Sequence, residues 1–227
     1  READTRHDPP MPKPWQPPYL LYLGSAVDDL AIKTARGLAH WRPDCCLGQL
    51  RRPDCVPTLG LPDMGVTEAR AAGANTMVIG AANAGGHMSA EIVADAVAAL
   101  DAGLNVVAGL HNKLRDNADI TAAARRNDRA LFDAREVPPG LAVGTGRPRA
   151  GRRLLTVGTD CSVGKMYTTL AIEHALRQRG IAADFRATGQ TGIFIAGGGV
   201  PVDSVVADFI SGAVEAISPA REARGWD

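Results

Sequence analysis

The run "LLTVGTDCSVGKMYTTLAIEHAL", residues 154–176, decides how the second half of this chain is read. It begins as an apolar strand, turns through glycine and ends as an amphipathic helix. That succession is the layout of a phosphate-binding loop, whose usual pattern is G-x-x-x-x-G-K-[ST]. Here Gly164 and Lys165 arrive in order, but Gly158 stands one residue further back and Met166 replaces the hydroxyl. Successive backbone N–H groups of such a loop point at phosphate oxygens, and the helix N-terminus adds partial positive charge. Lys165 adds a full charge. In a phosphoryl-transfer enzyme the residue after the lysine offers a hydroxyl to Mg²⁺. Methionine has none, and Thr168 or Thr169 substitutes only if the helix start shifts. The expectation is a loop that holds phosphate and is less fit to hydrolyse ATP; the plain alternative is a structural strand–turn–helix. The expected binding set is Gly158, Thr159, Asp160, Cys161, Ser162, Val163, Gly164, Lys165 and Met166. Cys161 sits among N–H donors that lower a thiol pKa, so it reads either as an acyl-carrying thiolate or as a small space-filling residue.

Beyond the loop, a helix is predicted over 165–178, with Thr169, Ile172, Ala175 and Leu176 on its inner face and Gly180 as its stop. "AADFRATG", residues 182–189, reads as the next strand, and "VDSVVADFISGAVEAI", residues 202–217, as another helix. Between them two glycine-rich turns, 189–192 and 197–199, flank the apolar "IFI", so backbone can approach a ligand from either side. Thr188, Gln190 and Thr191 supply neutral hydrogen-bonding groups there. Asp203 and Asp208 fall in the first turns of the following helix, and Asp203 reads equally well as a helix-start residue.

The first half alternates short apolar runs with helical periods. "YLLYLG" (19–24), "CCLGQL" (45–50), "TMVIGAA" (76–82) and "NVVAGL" (105–110) read as strands. Helices are predicted over about 28–40, over "GVTEARAAG" (65–73), between the N-cap Ser89 and the closing Gly103, and over "ITAAARRND" (120–128). This strand–helix alternation implies an α/β fold with a parallel sheet covered on both faces. No G-x-G-x-x-G follows the first strand, where Gly24 stands alone, so a dinucleotide site on that turn has little support. "AANAGGHM" (81–88) and "GLHNKL" (109–114) leave strand C-termini, where open α/β sheets bind ligands. His87, His111 and Lys113 are candidates there, against the alternative of ordinary polar loops. Proline, glycine and arginine break the rhythm over 137–153. The expected division is an extended arm over 1–18, a first domain over 19–143, a linker over 144–152 and a P-loop domain over 153–227.

Composition bounds the rest. The chain has 227 residues, 45% apolar and 22% charged, which suits a globular protein with a real core. Basic and acidic residues balance at 25 each, so no bulk field points to nucleic acid or an acidic membrane. Aromatic residues are only 4%, which argues against a base-stacking surface. No apolar run reaches the ~20 residues needed to span a bilayer. The polar, proline-rich start reads as an arm and not as a secretory signal. Cys45, Cys46, Cys55 and Cys161 match neither zinc hooks nor a disulfide framework. They read as free thiols of a cytoplasmic protein, and no metal site is expected.

Taken together, "WRPDCCLGQLR" (41–51), "GRRLLTVGTDCSVGKMYTTLAIE" (151–173) and "DFRATGQTGIFIAGGGVPVDSVVADFISGAVE" (184–215) resemble one bacterial and archaeal family, the D-glutamate N-acetyltransferase family. The loop also resembles the "GTDT-x-VGK" loop of dethiobiotin synthetase and related P-loop enzymes, which share its spacing. The family resemblance covers nearly the whole chain from about residue 17, and the loop and "ATGQTG" are its most distinctive parts. It implies two parallel-sheet domains, Rossmann-like and then P-loop NTPase-like, and implies that methionine after the loop lysine is a family feature. It also implies a longer chain. Members run to roughly twice an average ~150-residue domain, with further strands and a Walker B-like acidic segment, so the P-loop domain is expected to be incomplete here.

The implied activity is acetyl transfer from acetyl-coenzyme A to the amine of a D-amino acid, D-glutamate. The loop would then hold the coenzyme's phosphates. Such transfer needs a general base, for which His87, His111 and Asp203 are candidates by position alone. It also needs cations for substrate carboxylates, for which Arg186 beside Thr188, Gln190 and Thr191 is the first choice. The alternatives are an ATP- and Mg-dependent carboxylate-activating ligase and a non-catalytic nucleotide-binding module. A small-molecule substrate and a homo-oligomer that covers exposed apolar edges complete the expectation.

Overall fold

The computed structural model describes residues 15–81, 87–148, 151–160 and 163–218. They divide into two compact units, one reaching up to Glu136 and the other running from Val137 onward.

The first unit is a five-stranded, wholly parallel sheet in the order β2-β1-β3-β4-β5. Its strands are β1 (Tyr19–Gly24), β2 (Cys46–Arg51), β3 (Thr76–Ile79), β4 (Asn105–Ala108) and β5 (Leu131–Asp133). Every residue of β1 and β3 is buried, the unbroken apolar pattern of strands covered on both faces. The helices are α1 (Lys33–Trp41), α2 (Val66–Ala71), α3 (Ala90–Asp101) and α4 (Ala118–Arg126). Ser89 caps α3 by accepting the Ile92 N–H, and Gly103 follows its end in the left-handed conformation, both as the sequence predicts. Ile92, Ala96, Ala99 and Leu100 of α3 pack with Leu20, Met77 and Val106 of the sheet and with Ile120 and Ala123 of α4. Strand β5 was not among the predicted elements, because three residues are too few to show a period. Before β1, buried Trp15 packs on Phe132 of β5 with ring centroids 4.3 Å apart. The carbonyls of Gln16 and Pro17 accept bonds from the Thr76 and Asn75 side chains.

The order 2-1-3-4-5 reverses direction between β1 and β3. In open sheets the crevice at such a switch point, outside the strand C-termini, is where ligands bind. Ser25 leaves β1 there and Gly80 leaves β3.

The second unit carries α5 (Lys165–Gln178), α6 (Gln190–Ala196) and α7 (Ile210–Ile217). Its core joins Val200, Val205 and Ala213 with the half-buried Val137, Leu141 and Ile217. Gly212 makes this packing possible. A Cβ on it would lie 1.6 Å from the Ala142 carbonyl oxygen, so the 142–145 segment crosses α7 against bare backbone. Thr145 is tied to the same helix, donating its N–H and hydroxyl to the Glu215 carboxylate at 2.6 and 2.7 Å.

Three predicted elements differ here. Residues 154–158 join no ladder among the described residues, and Leu154, Leu155 and Val157 are 63%, 79% and 81% exposed. The stretch 182–189 contributes a single parallel bridge, Ala187 to Gly199, instead of a strand. Where one helix was predicted over 202–217, two 3₁₀ turns, Val202–Ser204 and Ala207–Phe209, precede α7. The break lies at Val205 and Val206, whose backbones are extended, and it lets Val205 enter the core. "IFI", expected between two turns, is the buried body of α6; Gly197, left-handed, ends that helix.

Candidate functional site

In the second unit residues 158–160 and 163–164 of the glycine loop lead into the N-terminus of α5. Gly164 sits at φ 96, a left-handed conformation that turns the chain into the helix without the strain a side chain would add. A Cβ on Gly158 would meet Val163 Cγ2 at 2.7 Å and the Lys165 stem at 3.2 Å, so glycine is what lets the lysine lie back across the loop. The Lys165 ammonium donates to the Asp160 carbonyl oxygen. Thr169 Oγ1 donates to the Lys165 carbonyl at 2.9 Å and lies 2.6 Å from Thr156 Oγ1, which pins the first turn of α5 to the segment before the loop. That engagement leaves the exposed Thr168 as the nearby hydroxyl that could serve where Met166 does not. Thr159 is exposed and Met166 half-buried. Cys161 and Ser162 lie outside the described residues.

The second predicted group lies along one path in the same unit. Arg186 is ion-paired with Asp184, and Phe185 N–H donates to Glu173 on α5. Thr188 is exposed, and its carbonyl accepts the Val202 N–H at 3.1 Å, which brings it beside the turn holding Asp203. Gln190 and Thr191 open α6. The buried Oε1 of Gln190 has no hydrogen-bond partner among the described residues.

His87 and His111 belong to the first unit, on the loops that follow β3 and β4, and both are exposed. Asn112 joins these loops. Its Oδ1 accepts the Met88 backbone N–H at 3.0 Å and lies 3.2 Å from His87 Nδ1. One residue past Lys113, Leu114 N–H donates to Asp133 Oδ1 at 2.7 Å. Asp133 ends β5 almost wholly buried, with Arg115 Nε 3.4 Å from its other oxygen. Burial raises its carboxyl pKa above the ordinary value, against the lowering effect of the Leu114 and Arg115 N–H groups.

Sequence reasoning missed a polar network at the switch point. Ser25 Oγ donates to Glu91 at 2.6 Å, and Arg52, just past β2, bonds Glu91 at 2.6 Å and Asp95 at 3.0 Å. The Tyr22 hydroxyl is buried beside them, and its pKa is raised by burial first and by Asp95 next. The available signal was the i, i+4 spacing of Glu91 and Asp95, which puts both carboxylates on one face of α3. Of the cysteines, Cys45, Cys46 and Cys55 are free thiols, and burial together with Cys45 pushes the Cys46 pKa up to about 12, which leaves it a poor nucleophile. Among the described residues no three metal-binding side chains cluster, and no helix is long and apolar enough to cross a membrane.

Comparison with known proteins gives two family matches. A domain of unknown function described as the DUF1611_N Rossmann-like domain matches residues 53–137, and the DUF1611_C P-loop domain matches residues 141–227. The chain is 50% identical over 210 residues to a protein of Tritonibacter scottomollicae named D-glutamate N-acetyltransferase, covering 92% of this chain and 63% of that protein. A protein of the same name from Pseudoalteromonas sp is 46% identical over 212 residues, covering 93% of this chain and 64% of its own length. This chain therefore spans a little under two thirds of the curated relatives it matches. Among solved structures, the crystal structure of a DUF1611 family protein from Anabaena variabilis ATCC 29413 matches with a TM-score of 0.75 at 30% identity, covering 92% of this chain and 62% of that one. With both halves of the chain matched in order, it belongs to the DUF1611 family, in which a Rossmann-like domain precedes a P-loop domain.

Proposed function

We propose that this chain is part of an acetyl-coenzyme A-dependent N-acetyltransferase that acts on a D-amino acid, D-glutamate. The observation that carries this reading is the build of the glycine loop. It has a cation, a left-handed glycine and the start of a 14-residue helix, but a methionine where a Mg²⁺-binding hydroxyl would stand. Coenzyme A carries a pyrophosphate and a ribose phosphate, so it needs a phosphate cradle and no metal-held γ-phosphate. The relatives' name, at 46–50% identity, supports the same substrate and reaction.

In this reading Lys165 and the first-turn N–H groups of α5 bind and orient the coenzyme's phosphates. When bound, the coenzyme supplies the activated acetyl group. Arg186, held by Asp184, is the cation assigned to a substrate carboxylate, with Thr188, Gln190 and Thr191 as neutral neighbours. The buried Gln190 Oε1, without a hydrogen-bond partner among the described residues, suits an ammonium or amide donor. Along the chain, the arm (1–18), first domain (19–143), linker (144–152) and P-loop domain (153–227) remain the proposed division.

The test supplies D-glutamate and acetyl-coenzyme A with a thiol reporter, beside an ATP-hydrolysis assay. Free thiol that appears only with the amino acid supports the proposal. Release of ADP without thiol would instead favour an ATP-dependent ligase, the chemistry that shares this loop. Neither product, with nucleotide bound, would favour a binding module.

A further inference from the structure

Segment 154–158 faces the wrong way round for an apolar strand. Leu154, Leu155 and Val157 are exposed, while Thr156 is half-buried and reaches α5. Thr156 Oγ1 lies 2.6 Å from Thr169 Oγ1 and 3.2 Å from the Lys165 carbonyl oxygen. Thr169 Oγ1 lies 2.9 Å from the same carbonyl. A hydroxyl carries one proton, and a carbonyl only accepts. The shorter contact gives the Thr169 proton to the carbonyl, and the Thr169 oxygen then accepts the proton of Thr156. The result is a chain of two hydroxyls that ends on the backbone of the loop lysine, each bond polarising the next. One residue earlier, the Gly164 carbonyl accepts the Thr168 N–H at 2.9 Å, so both residues at the start of α5 are held.

The bond from Thr169 is an ordinary helix back-bond between residues four apart. The one from Thr156 is not, since it spans 13 residues of chain and crosses the glycine turn. It ties the segment before the turn to Lys165, the first residue of α5, where a helix otherwise frays. Pinning that carbonyl fixes the direction in which the lysine side chain leaves the backbone, and the ammonium is held over the turn on the Asp160 carbonyl. A charge that is already oriented costs less to order when a ligand binds. We propose that Thr156 and Thr169 are positioning residues for Lys165 and set the strength of its grip on a ligand phosphate. This rests on the reading of Lys165 as a phosphate-binding cation given above. All the residues involved belong to the second unit.

The experiment is calorimetry with acetyl-coenzyme A on the full-length protein. Thr169→Val keeps the shape, removes the hydroxyl and should weaken binding roughly 3- to 10-fold. Thr169→Ser restores the hydroxyl and should recover the affinity to within about twofold. Thr156→Val removes only the outer hydroxyl and should cost roughly 2- to 5-fold; it carries the test if Thr169→Val fails to fold by circular dichroism. The decisive comparison is with Lys165→Ala. In that background neither threonine variant should cost anything further, because residues that act through one contact are not additive. A threonine variant with undiminished affinity overturns the positioning role, as does a loss that persists in full without the lysine. Failure of Thr169→Ser to recover overturns it too. If Lys165→Ala itself binds acetyl-coenzyme A as tightly as the unaltered protein, the phosphate reading fails and the positioning role falls with it. If Lys165→Ala loses affinity while the folded threonine variants do not, the phosphate reading stands and the positioning role alone is overturned.

Discussion

Leu20–Leu21 and Leu154–Leu155 are the same dipeptide at the start of an apolar run, and they meet opposite fates. The first pair is 0% exposed in the middle of β1, while the second is 63% and 79% exposed. Propensity and pattern are alike, so the difference lies in the neighbours. β1 is bonded to β2 on one side and β3 on the other, and helices cover the sheet. Residues 154–158 have no ladder partner among the described residues. A strand of a parallel sheet is thus a collective object. Its apolar residues are buried only when flanking strands and covering helices are present to exclude water. The glycine turn into α5, by contrast, forms all the same. Its geometry depends on Gly158, Gly164 and the start of α5, contacts that are local in the chain.

The sharpest way to break this contrast is to truncate the buried leucine. Leu21→Ala should destabilise the first unit by about 2–5 kcal/mol, the range for buried leucines, read from the shift of its denaturation midpoint. A loss under 1 kcal/mol would mean that the sheet is not the rigid part of the molecule.

Next in size is the loop lysine. Lys165→Ala removes a charge-assisted contact worth about 1.5–3 kcal/mol, roughly a 10- to 100-fold loss of affinity for acetyl-coenzyme A by calorimetry. Circular dichroism should be unchanged, since a loop lysine buries little apolar surface. Undiminished affinity would reduce the loop to a turn and remove the functional half of the comparison.

A smaller effect tests the anchor of the first unit. Burial raises the Asp133 pKa, so the folded state holds its proton more firmly than the unfolded chain. The stabilisation this gives is fully present below the unfolded pKa and is lost as pH rises through the folded one. Asp133→Asn keeps an acceptor for the Leu114 N–H and cannot titrate. It should flatten the acid-side stability profile in that window while changing stability near neutrality by no more than about 1 kcal/mol. An unchanged profile would mean that Asp133 titrates no differently in the folded and unfolded states.

The smallest effect is expected at the exposed leucine. Leu155→Ser should shift stability by less than about 0.5 kcal/mol, as surface substitutions do. A loss of 2 kcal/mol or more would show that residues 154–158 are covered in solution, for instance by a second copy, and the contrast with β1 would dissolve.

Local features were legible without coordinates. The N-cap Ser89, the four longer strands of the first sheet and the 165–178 span of α5 follow from capping chemistry, unbroken apolar runs and helical spacing, all set within a few residues. So did the glycine loop, because positive φ and close backbone approach demand glycine at particular places. What depended on distant partners was not legible. β5 exists because β4 offers it an edge, and three residues carry no period of their own. The helical span over 202–217 breaks at Val205 because a core built from Val200 and Ala213 takes that side chain in. Arg52 finds Glu91 and Asp95, and Asn112 finds His87, across 24 or more residues of chain. No composition or spacing rule reports such meetings, because they exist only once parallel strands bring their carboxyl ends to one edge. The sequence by itself determined the fold class and the glycine turn into α5; tertiary structure alone decided which polar side chains stand together at the switch point, because only the folded sheet brings them to one edge.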